Sequence, residues 1–244
     1  MIAKPELFAA VLAAASVCAA AGTAFAASAK PDLTGAWWAT SVADRLQPQG
    51  GGAIPFTAAG KAAYDKRQAE QKADPTVDRT VHLCLPQGVV RAWMSAYPFQ
   101  VLQTTAPDQV TVMFEENRGL RPIRFRDKHF DPELWDPSYM GDSIARWDGD
   151  VLVVDTTNFN DDTTLDPTGL PHSDKLHVTE RIRLLNGGRQ LEVVATIEDP
   201  EIYSRPWSVR FTYDRRDDVQ VKSDWVCGEQ HRDVSSVRRA SAGR

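Results

Sequence analysis

From Phe99 onward the chain keeps one rhythm, with apolar side chains at every second position. Val110, Val112 and Phe114 alternate with Thr111, Met113 and Glu115, and Leu152, Val154 and Thr156 alternate with Val151, Val153 and Asp155. The runs Leu191, Val193, Ala195, Ile197 and Trp207, Val209, Phe211, Tyr213 repeat the pattern. A period of two marks strands that turn one face to a core. Between the runs stand turn formers such as Asp148-Gly149 and Asn186-Gly187, which tolerate the positive φ of a tight hairpin. About ten strands joined mostly by short turns predict an antiparallel meander, and a meander that long protects its edges by closing. The expected fold is mainly all-β, an antiparallel barrel of about ten strands around a mostly apolar cavity. An α+β cone ranks second, because strands outnumber helices. The one clear helix falls at 57–73, with Thr57 as its N-cap and Asp74-Pro75 as its stop. Its apolar face holds only alanines and Tyr64, so it is expected on the surface.

The first residues follow another logic. After Lys4 an apolar run at 7–26 ends in Ala24-Phe25-Ala26, the small-residue pattern at which a secretory leader is cut. The run is alanine-rich and short for a spanning helix, and Val17 before Cys18 argues against a lipoprotein cut. The expected map is a signal peptide at 1–26, one β-barrel domain at 27–230 and a flexible polar tail at 231–244. The expected location is periplasmic or extracellular, with no membrane insertion after the leader is removed. A formal charge of −5 without a basic stripe speaks against nucleic acid as a partner. With Cys18 gone, Cys84 and Cys227 remain, and a pair in an oxidising compartment predicts a disulfide. Nothing in the sequence sets the oligomeric state.

Two resemblances add to this. "LTGAWW" at 33–38 resembles the Gly-x-Trp start of lipocalins and related calycin barrels, with Gly35 and Trp37 as the matching residues. It implies a lipocalin-like barrel whose tryptophan closes the floor. "DPSYMGDSIARWDGDVLVVDTTNFND", "PHSDKLHVTERIR" and "IEDPEIYSRPW" resemble segments of a large group of secreted bacterial proteins with no established activity. That resemblance implies export and a single domain, and it lends no catalytic residue.

The chemistry candidates cluster at "GLPHSDKLHVTERIR", 169–183. As a strand, 176–185 puts His177, Thr179, Arg181 and Arg183 on one face, and Val178, Glu180, Ile182 and Leu184 on the other. The apolar face belongs inside, which turns Glu180 inward and His177 outward. An inward glutamate needs a partner, or its pKa rises. His172 lies in the preceding loop, at a barrel mouth. Asp155 ends an apolar strand, where a carboxylate must be bonded; Arg146 or a histidine of 172–177 is the expected partner.

Two functions fit these residues. The first is a cofactor-independent acid/base enzyme (lyase, isomerase or hydrolase) acting on a small hydrophobic, aromatic or isoprenoid compound in the barrel cavity. In it His172 or His177 moves the proton, Asp155 or Glu180 orients it, and Arg146 or Arg181 stabilises an anion. The second is a non-catalytic, lipocalin-like binding protein for a small hydrophobic ligand. In either, Trp93, Tyr139 and Phe159 from loops, with Trp38, are candidates to line a mouth that grips a flat apolar molecule. "AWMSAYPF" at 92–99 reads as a lid over that mouth or as a packed loop. The run Asn160, Asp161, Asp162, Asp166 misses the calcium-loop spacing and reads as a solvated loop. His172 and His177 lack a third ligand for zinc, so no metal is expected. No phosphate loop, dinucleotide fingerprint or Gly-x-Ser-x-Gly elbow occurs, so no cofactor is expected. The discriminating feature is whether two histidines and a carboxylate converge on the cavity.

Overall fold

The computed structural model describes residues 30–74, 78, 80, 85–105 and 108–222. The leader at 1–26, Cys84, Cys227 and the tail at 231–244 lie outside the described residues. Nine strands close into one barrel in sequence order, from β1 (Gly35–Ala39) through β2 (Phe99–Thr105), β3 (Asp108–Phe114), β4 (Leu120–Arg124) and β5 (Asp142–Asp148). β6 (Val151–Thr157), β7 (His177–Leu185), β8 (Gln190–Glu198) and β9 (Trp207–Arg215) complete it, and Trp37 of β1 pairs with Arg215 of β9. Among the described residues the count is nine against the ten or so expected.

The alternation does what its period requires. Leu152, Val154, Val178, Ile182, Val193, Ala195 and Val209 all point inward and are buried. Gly149 and Gly187 take φ of 61° and 67° in their hairpin turns, and Asn186 takes 52°. The pairing departs from a pure meander at one place. β4 and β5 run parallel and share only the register pairs Ile123↔Ser143 and Arg124↔Ile144, the shortest ladder of the barrel. The crossover 125–141 makes this possible by carrying the chain back outside the wall, so that β5 starts at the same end as β4.

Helix α1 (Ala58–Ala73) is capped as its sequence predicts: Thr57 Oγ1 accepts from Gly60 N at 2.9 Å. Gly60 is its sole buried residue, pressed so closely to the Ile202 carbonyl that a Cβ would collide with it. Trp37 is fully buried, its indole donating to Leu33 O at 3.1 Å. The Arg215 guanidinium lies over its ring, 4.5 Å from the centroid, and donates to Gly188 O in the turn below. The tryptophan thus seals the barrel end that carries the 186–188 turn.

The expected greasy hollow is overturned. The segment before β2 carries a four-residue helix, α2 (Val89–Ala92), that is buried throughout, and it brings Trp93 into the barrel. Trp93 meets Phe99 and Phe114 edge-on at 5.2 and 5.1 Å, and Phe99 meets Tyr213 edge-on at 4.7 Å. The chain thus fills its own interior with aromatic rings, each such pair adding about 0.5–1.5 kcal/mol beyond burial.

Candidate functional site

Three places carry chemistry, and the predicted residues are divided among them. The first is inside the barrel. Glu180 points inward, as its strand phase requires, and is completely buried. Its partner is Arg121 of β4, which sequence reading missed. Nη1 of Arg121 donates to Oε1 of Glu180 at 2.9 Å and Nη2 donates to Oε2. Arg121 also donates to Ser143 Oγ at 3.1 Å and Thr156 Oγ1 at 2.9 Å, while Trp93 Nε1 donates to Glu180 Oε1 at 2.5 Å. Burial, with the Glu180 charge behind it, pushes the Tyr213 hydroxyl well above the ordinary phenol range. It therefore stays a donor, to Trp93 O at 2.5 Å. Each charged group here is answered by an opposite one, as a buried ion pair requires.

The second place is the loop layer over the other barrel end. His172 is 8 % exposed, with Nδ1 facing Ser173 O at 3.1 Å and Nε2 facing Thr163 Oγ1 at 3.0 Å. A carbonyl only accepts, so Nδ1 carries the proton and Nε2 accepts from the threonine. Burial holds His172 below the usual imidazole range, against the opposing pull of the Ser173 carbonyl and Asp199. Its Nε2 is occupied by Thr163, and burial favours its neutral form. Phe159 and Tyr139 stand beside it around a crevice of about 10 Å³. Asp166 overturns the solvated-loop expectation at its own position: it is 1 % exposed and accepts from Leu46 N, Thr168 N and Leu170 N. Asp161 and Asp162 are exposed.

Burial of a neutral His172 has a pH consequence. The unfolded chain binds a proton that the folded one refuses, so this contribution is intact above about pH 6.5 and declines as the pH falls below it. Urea titrations of the wild type and His172→Gln at successive pH values should show the wild type losing stability more steeply below that point. Parallel curves would remove the burial argument.

The third place is the outer wall. Asp155 turns outward and receives two imidazoles: His177 Nε2 at 2.9 Å and His129 Nε2 at 2.7 Å. His129 Nδ1 faces Asp142 at 3.1 Å, and Asp142 accepts in turn from Arg126 at 2.6 Å and Phe130 N at 2.8 Å. Burial pushes the Asp155 carboxyl up, but the hydrogen bonds from His129 and His177 outweigh it and hold it below its ordinary value. The expected bond between Asp155 and a histidine of 172–177 is present. The alternative bond to Arg146 is not formed; Arg146 stands exposed on the same wall. Among the described residues no three His, Cys, Asp or Glu side chains are grouped so as to hold a metal.

The open volume lies elsewhere. After Thr40 N donates to Thr212 O, β1 leaves β9, and the chain returns only where Gln49 N meets Ser208 O at 2.7 Å. Between these points the irregular segment 41–47 lies apart from β9 and leaves an opening of about 520 Å³. Ala39, Leu46, Met94, Val209 and Phe211 line it together with the polar Ser41, Asp44, Arg45, Gln47, Arg210 and Thr212, and the buried Trp93 and Tyr213 reach it from the core. Trp93 is therefore the one predicted aromatic that reaches this space, from within the core rather than from a lid. Trp38 faces the outside, bonded to Ala96 O at 2.8 Å beneath Arg216.

No known protein family matches the chain, and no curated protein is similar to it. Among solved structures it is similar to a secretary abundant heat soluble (SAHS) protein from Ramazzottius varieornatus, at 10 % identity and a TM-score of 0.35. The match covers 75 % of this chain and 94 % of that one, a likeness too distant to carry function.

Proposed function

We propose that the protein is a binding protein, exported as its leader implies, that holds a small hydrophobic molecule in the opening between the segment 41–47 and β9. One observation carries this reading. The roughly 520 Å³ space sets apolar side chains (Leu46, Met94, Val209, Phe211) beside polar ones (Asp44, Arg45, Gln47, Arg210), while His172, His177 and Glu180 lie in a loop layer, on the outer wall and inside the core. An acid/base enzyme needs its histidine and carboxylate at the bound molecule; a carrier does not. The volume falls within the usual range for small-ligand sites.

Mass spectrometry of molecules that copurify with the full chain is the direct test, followed by return of the identified compound to stripped protein. Met94→Trp fills the opening and should abolish retention, while His177→Ala should leave affinity unchanged. The acid/base reading has one observation on its side, the two imidazoles on Asp155. Turnover of the copurified compound that falls about 10²–10⁴-fold in His177→Ala would replace the carrier by the enzyme.

A further inference from the structure

We propose that the crossover 125–141 is a pH-operated strap over the weakest seam of the barrel, with His129 as its catch. The crossover descends the outer wall between β4 and β5, whose ladder holds only two register pairs. It is fastened by Arg126 and Phe130 N to Asp142 of β5, and by His129 to both Asp142 and Asp155 of β6. Behind the seam lies the Arg121–Ser143 bond, a side-chain link that adds to the two backbone register pairs between β4 and β5.

The catch works because of what faces it. His129 lies between two carboxylates, Asp142 at Nδ1 and Asp155 at Nε2. Arg126 of the strap shares the first carboxylate, and His177 of β7 shares the second at 2.9 Å. An imidazole protonated on both nitrogens donates to both carboxylates, and Arg126, Asp142, His129, Asp155 then alternate in charge. A neutral imidazole has one N–H, so one contact is left with a lone pair against a carboxylate oxygen. The strap is therefore fastened on the acid side and slackens as the pH rises.

Hydrogen exchange of the full chain, corrected for the intrinsic pH dependence of the chemistry, reads this directly. Peptides covering 125–141 and 142–148 should lose protection by roughly tenfold between about pH 5.5 and about 8.5, while the β7–β8 hairpin keeps its own. His129→Gln, which cannot change charge, should remove that difference, whereas His177→Gln should retain most of it. Should His129→Gln fold poorly, imidazole nitrogen NMR of the wild type decides, since both His129 nitrogens must carry protons where the strap is protected. Equal protection at both ends of the range, or a His129 ring with one proton throughout, overturns the proposal.

Discussion

Glu180→Leu is expected to destabilise the protein by about 3–5 kcal/mol, because it strands a buried guanidinium. Arg121 is 1 % exposed and cannot turn to water, and its Nη groups lose the carboxylate that answers them. The paired change Arg121→Met with Glu180→Leu removes both charges and should recover most of the loss, since an apolar pair of similar volume is often as stable as a buried ion pair. Urea unfolding of the two single variants and the double one checks this. A double variant as damaged as the sum of its parents would mean that Arg121 acts chiefly through Ser143 and Thr156.

Trp93→Ala is expected to cost about 3–5 kcal/mol as well, by a different route. It deletes the ring that Phe99, Phe114 and Tyr213 pack against, and takes one donor from Glu180. The opening between the segment 41–47 and β9 would then run into the barrel, since the buried Trp93 lines it. If this variant still folds, it should take up a larger hydrophobic probe than the wild type. Wild-type stability together with unchanged probe size would show that the indole does not separate opening from core.

The barrel was legible because its signal is local. One phase of alternation puts Val178, Glu180 and Ile182 inside and His177 outside, whatever the strand pairs with. Arg121 was less legible. It shares its strand phase with Ile123 in "LRPIR", but Pro122 weakens the segment as a strand, and the short β4 gave little rhythm to read. An inward glutamate calls for an inward cation, and Arg121 in phase with a buried isoleucine is the signal that would have found it. His129 carried no such mark, for a crossover has no period. Its meeting with Asp142 and Asp155 follows from the parallel β4–β5 pair, which short-turn reasoning does not anticipate. Trp93 was half legible for a related reason: its stretch reads equally as a lid or as a packed loop, and no local rhythm tells that the barrel is wide enough to take the segment in.

The plug at 89–94 precedes eight of the nine strands in the chain. During synthesis it appears before the wall that will enclose it. The last closure joins Trp37 to Arg215, so no intact cylinder exists until nearly the whole domain has emerged. Such distant pairings are slow to form, and the aromatic rings stay uncovered meanwhile. A chain built this way remains pliable until late, and its aromatic core is the last part to be sealed from water.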